Sequence, residues 1–92
     1  MTIAKDSSAF ANGRSLLTLP RQQEARVLSV ADHRPGDVIA RRLRELGFVP
    51  GELVRVVAQG PLGGDPLLVQ VGFTRFALRR AEAERVQVET LP

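Results

Sequence analysis

The stretch DVIARRLRELGFVPGELV, residues 37–54, passes from a helix through a tight turn into a strand. Asp37 is a good N-cap residue, because its carboxylate accepts hydrogen bonds from the free N–H groups of a first helical turn. Ile39, Leu43 and Leu46 follow at i, i+4 and i+7, one apolar stripe at helical period. Arg41, Arg42, Arg44 and Glu45 fill the other faces. Gly47 stands where a helix end needs a left-handed residue, and an arginine in the last turn suits the helix dipole. Phe48-Val49-Pro50-Gly51 is turn chemistry, and Glu52 to Gln59 (ELVRVVAQ) is Val-rich and strand-like. The pattern predicts a helix over 37–46, capped at both ends and feeding a strand.

Working outward, Glu24 to Ala31 (EARVLSVA) reads as a strand, with Leu28 and Val30 on one face and Val27 and Ser29 on the other. His33-Arg34-Pro35-Gly36 breaks it before the helix. Downstream, Gly60 to Pro66 is a loop on composition, and Leu67 to Val71 is a strand. Gly72-Phe73-Thr74-Arg75 is a hairpin turn, with Phe76-Ala77-Leu78 returning from it. Arg80 to Glu84 makes a short helical turn, and Arg85 to Glu89 alternates polar residues with Val as a half-buried strand does. Five short strands and one full helix in about 65 residues predict a mainly β domain, a small five-stranded antiparallel sheet curved into a barrel. A parallel α/β sheet is excluded, because each parallel pair needs a long crossover and only one full helix exists. Leu16 to Pro20 opens the ordered domain, 16–92, and the polar, aperiodic residues 1–15 are expected to form a flexible tail.

The 92 residues suit one small domain, too small for a deep cleft between lobes. Hydrophobic residues at 43% and charged residues at 25% are ordinary for a globular chain, which excludes disorder and collagen-like repeats. Cysteine is absent, so there is no disulfide framework, thiolate metal site or cysteine nucleophile, and a cytoplasmic setting is expected. No apolar run approaches the roughly 18 residues of a membrane span, and the first residues lack the apolar core of a secretory signal. Thirteen basic residues against ten acidic ones give a net charge of +3. The isoelectric point near 11.0 overstates that excess. Twelve of the thirteen are arginine, and no Tyr or Cys titrates first.

The run from Arg42 to Val54 (RLRELGFVPGELV) resembles the "RL-x-ELG-F-x-PG-x-x-V" signature of the ferrous iron transport protein A (FeoA) family. Gly64-Asp65-Pro66-Leu67, Phe76-Ala77-Leu78-Arg79, Ala83 with Val86-Gln87-Val88, and Leu16 to Pro20 are similar to its further segments, in order. Gln23-Glu24 departs from the family's usual Gly-Glu before the first strand, and residues 1–15 have no counterpart in it. The resemblance implies an SH3-like barrel and a cytoplasmic accessory role in bacterial ferrous iron uptake. It implies as partner the membrane transporter with a GTPase domain, FeoB, so that contact with the membrane comes only through that partner. The same module closes iron-dependent repressors, which leaves a stand-alone regulatory module as an alternative.

Catalysis finds no support in the residues. No serine has a base placed near it in sequence, no phosphate-binding loop with Lys is present, and Glu82 and Glu84 at i, i+2 point apart on a helix. The chain is read as a non-enzyme without a cofactor. The resemblance brings transition-metal handling into view, but a stable iron site needs several convergent ligands. Only His33, beside Asp32 and four residues before Asp37, comes near to that, and an exposed loop histidine is the simpler reading. A basic barrel that binds nucleic acid would place aromatics beside its cations, and a proline-peptide receptor would line a groove with them. With no Trp, no Tyr and four Phe, both readings weaken and no nucleic-acid partner is expected. Protein docking remains. Arg41, Arg42, Arg44 and Arg79 are the candidate charged contacts, suited to an acidic partner surface. Phe48, Val49 and Leu62, in turns and loops, are the candidate exposed apolar contacts. An exposed strand edge would also allow weak homo-oligomers.

Overall fold

The computed structural model describes residues 13–91. Its strands and helices are β1 (Gly13–Ser15), β2 (Glu24–Val30), α1 (Val38–Leu46), β3 (Leu53–Gln59), β4 (Leu67–Val71), β5 (Thr74–Leu78), α2 (Arg80–Arg85) and β6 (Val86–Thr90), with a 3-10 turn at Leu16–Thr18. The strands form one antiparallel sheet in the order β1-β6-β2-β3-β4-β5.

Alternation along the strands sends one set of side chains inward. Ala25, Val27, Val54, Val56, Leu67, Val69, Val71, Val86 and Val88 are buried in a single cluster. Ala40 and Leu43 of α1 close that cluster, with Leu16 and Leu19 from the opening segment. Ile39 and Leu46 are half-buried against it, so the stripe read in the sequence is core-facing.

The helix ends as its residues predict. Asp37 caps α1 by accepting from the N–H groups of Ile39 at 3.1 Å and Ala40 at 3.4 Å. Gly47 takes φ 117°, in the left-handed region. Its N–H donates to the Arg44 carbonyl and the Phe48 N–H to the Leu43 carbonyl, each at 3.1 Å, which together make a Schellman cap.

Three details differ from the sequence reading. The sheet has six strands rather than five, because Gly13–Ser15, placed with the tail, pair with β6 as β1; residues 1–12 lie outside the described residues. In β2, Val27 faces Val88 and Ser29 faces Gln87, so Leu28 is the extra residue of a bulge. The bulge resets the parity: Val27 and Val30 both point inward, and Leu28 is 38% exposed instead of sharing a face with Val30. The hairpin is also tighter than expected. Val71 pairs with Thr74 across a two-residue turn, Gly72-Phe73, with Gly72 at φ 59°.

The loop after β3 holds a close backbone approach. A Cβ on Gly60 would lie 2.6 Å from the Asp65 carbonyl oxygen. Gly60→Ala is therefore expected to cost about 1–3 kcal/mol, as forced overpacking does, read as a lower urea midpoint at unchanged slope. An unchanged midpoint would mean that the loop yields freely.

Candidate docking surface

Helix α1 turns Ala40 and Leu43 inward, which leaves its other faces to the arginines. Arg41 and Arg42 are exposed and join no ion pair among the described residues. Arg44 is exposed but engaged, since one guanidinium nitrogen donates to the Val30 carbonyl at 2.7 Å and to Asp32 at 3.1 Å. It ties the helix to the end of β2 and is the least free of the three. Arg79, just before α2, is exposed; its backbone N–H donates to the Glu82 carboxylate at 2.7 Å, while its guanidinium joins no ion pair among the described residues.

The apolar candidates divide. Leu62 and Val49 are 75% and 38% exposed. Phe48 corrects the sequence reading: it is fully buried, with its ring centroid 6.0 Å from that of Phe76. The physical reason is the Schellman cap. The residue after the left-handed glycine commonly makes an apolar contact with the last turn of the helix it ends, and here Phe48 joins Leu43 in the core. Phe48 is thus a core residue and leaves the set of surface contacts.

The structure adds exposed apolar side chains that the sequence did not single out. Phe73, at the hairpin tip, is fully exposed. Leu53 is 40% exposed and lines the same shallow depression of about 470 Å³, with Arg26 and Arg55 beside it. Val38, at the start of α1, is 59% exposed. A residue inside a two-residue hairpin turn has no facing partner, and that signal was available for Phe73. A second groove, of about 290 Å³, brings Ile39, Arg42 and Leu46 of α1 to Phe76 and Ala77 of β5 and Glu82 of α2.

Behind α1 lies a buried ion pair. Asp37 and Arg85 meet at 2.8 Å with almost no side-chain exposure. The Asp37 carboxylate also accepts from the His33 N–H at 2.9 Å. The Arg85 hydrogen bond, then the His33 N–H, hold its pKa well below the usual carboxylate value of 3.8. Arg85 donates in addition to the Ala81 carbonyl. Both Asp37 oxygens are therefore taken up inside the fold, turned away from any ligand in solution. No group of three or more His, Asp or Glu able to hold a metal ion occurs among the described residues.

Residues 14–90 match the model of the FeoA domain family. The chain is similar to FeoA of Stenotrophomonas maltophilia, crystallised with zinc and described as a prokaryotic SH3-domain protein and a proposed activating factor of bacterial ferrous iron transport. The identity is 64% over 83% of this chain and 89% of that one, with a TM-score of 0.77. It is also similar to FeoA of Chlorobium tepidum, at 37% identity over 86% of this chain and 71% of that one, with a TM-score of 0.74. IdeR of T. acidophilum, at 18% identity over 86% of this chain and 34% of that one, shares the fold with a TM-score of 0.68. No curated protein matches the chain.

Proposed function

The chain belongs to the FeoA family, and from that premise we propose that it is a cytoplasmic accessory protein of ferrous iron uptake, docking on a FeoB-type GTPase transporter through α1 and the loops beside it. It acts as a binding protein and not as a catalyst. The SH3-like fold and the tie to ferrous iron transport come with the family. No helix among the described residues is long and apolar enough to cross a membrane, which suits a protein brought to the membrane by its partner.

One observation carries this reading. The outer side of α1 shows Arg41 and Arg42 exposed and unpaired among the described residues, with exposed Val38 at its start and Val49 just past its end. Two exposed cations with apolar side chains nearby suit contact with an acidic protein surface, where charge complementarity steers and orients the encounter. Such charges act mainly on association rate and orientation.

The test is direct binding to the full-length transporter in nanodiscs, with and without guanine nucleotide, over a salt series. Saturable binding that weakens with salt is expected. The pair Arg41→Glu and Arg42→Glu is expected to lower affinity about tenfold, mostly through slower association. Binding that ignores both salt and these substitutions would move the surface to Leu53 and Phe73. No binding in any nucleotide state would remove the docking reading. The likeness to IdeR concerns the fold alone. A stacking surface for nucleic acid would have one exposed ring among the described residues, Phe73, since Phe48 and Phe76 pack inward, and one ring does not make a stacking platform for successive bases.

A further inference from the structure

The sheet ends at β5. Among the described residues its one neighbour is β4, so the other side of its backbone has no described strand beside it. The hairpin decides which groups are left over. Val71 and Thr74 flank the two-residue turn and form a hydrogen-bonded pair, and the ladder repeats at Val69 with Phe76 and at Leu67 with Leu78. Arg75 and Ala77 lie between these pairs, so they direct their N–H and C=O groups away from β4. Beside this edge runs the groove of about 290 Å³ between β5 and α1.

An unpaired strand edge next to a groove with Ile39, Leu46 and Phe76 on its walls and Arg42 and Glu82 at its polar side fits one kind of occupant, an extended chain. Its backbone completes the ladder and its alternate side chains enter the groove. Charge selects the composition. Arg42, Arg75 and Arg79 are exposed, and none joins an ion pair among the described residues. Among the described residues Glu82 is the one carboxylate lining the groove, and one of its oxygens is already occupied by the Arg79 N–H. A second copy of this chain would bring its own Arg75 and Arg79 against these, and like charges facing across strands oppose pairing.

We propose that the free edge of β5 takes an extended acidic segment of a partner protein as a seventh strand, with an apolar side chain of that segment in the groove between β5 and α1. The proposal rests on the docking reading and names the chemistry of the segment recognised. Arg42 and Arg79 then border the strand-binding edge, and Arg75 joins them.

The experiment uses the full chain, isotope-labelled, titrated with a synthetic peptide of alternating Glu and Val, and with a Lys-Val peptide as control. The expected result is amide shifts confined to residues 74–78 and to α1, with exchange at Arg75 and Ala77 slowed about tenfold or more. Added salt weakens the binding, and the Lys-Val peptide fails to bind. Ala77→Pro removes an outward N–H that the β4–β5 ladder does not use, and is expected to weaken binding about tenfold. If that variant does not fold, the surface pair Arg42→Glu and Arg75→Glu gives the same test. No binding at millimolar peptide overturns the proposal. So do shifts centred on Leu53 and Phe73, or β5 amides that become protected with rising protein concentration and no peptide, which would make a second copy the occupant. The transporter separates this from the docking reading. Equal docking by wild type and Ala77→Pro overturns the β5 site and leaves docking intact. A transporter that binds neither, beside a peptide that binds at β5, removes docking and leaves the site.

Discussion

Phe48→Ala is expected to lower the unfolding free energy by about 3–5 kcal/mol, the usual cost of emptying a buried phenylalanine site. The side chain has no exposed surface and packs against Phe76. The cavity would open where the helix cap turns into β3, inside the single core cluster. A domain of this size has about 5–15 kcal/mol in all, so the loss is a large share. The thermal midpoint is expected to fall by about 12 °C or more. Val49→Ala and Leu62→Ala, on exposed side chains, are expected to stay within about 0.5 kcal/mol. The three substitutions together separate packing from docking. A Phe48→Ala protein as stable as wild type that had lost the transporter would place Phe48 on the surface, and the cap geometry described above would be wrong.

The contrast between Phe48 and its neighbours shows what can be read from a chain like this one. Features set by short-range chemistry were legible: the Asp37 cap, the Ile39-Leu43-Leu46 stripe, the Gly47 stop and the Val-rich strands all depend on residues a few positions apart. The burial of Phe48 was legible too, because the residue after a Schellman glycine returns toward the last helical turn. A reading that takes turns as exposed misses it. Other features depend on partners far along the chain. Gly13–Ser15 has no apolar pattern and is a strand only because β6 offers an edge. The parity of β2 turns on one bulged residue, Leu28, and alternation carries no mark of it. Arg85 looks like a solvated charge in RVQVE, yet it is buried because Asp37 lies against it from 48 positions away. The free edge of β5 follows from strand order, which local patterning does not contain.

Removing the charge of Asp37 is expected to have the other large effect. Asp37→Asn keeps the shape of the cap but puts an amide where the carboxylate accepts from Ile39, Ala40, His33 and Arg85. It leaves the Arg85 guanidinium buried without its counter-charge. Breaking one side of a buried pair is far more damaging than replacing both, since the remaining charge keeps its desolvation cost. The loss is expected to exceed several-fold that of Arg44→Ala, which removes a half-exposed bridge to Asp32 worth up to about 1 kcal/mol. Arg85→Met is expected to be milder than Asp37→Asn, because the capping N–H groups still satisfy the carboxylate. The pH dependence has a definite sign. Folding holds the pKa of Asp37 below its ordinary value of 3.8, so over that window the unfolded chain binds the proton more readily than the folded one. The stabilisation is complete above the unfolded value and is lost as the pH falls below it toward the folded value. Urea midpoints measured at neutral pH and at steps below pH 4 should therefore converge for wild type and Asp37→Asn as acid is added, with the other carboxylates common to both. A constant gap between the two proteins through that acid range would show that the carboxylate acts through shape and hydrogen bonding alone, and that its charge contributes nothing to holding α1 against α2.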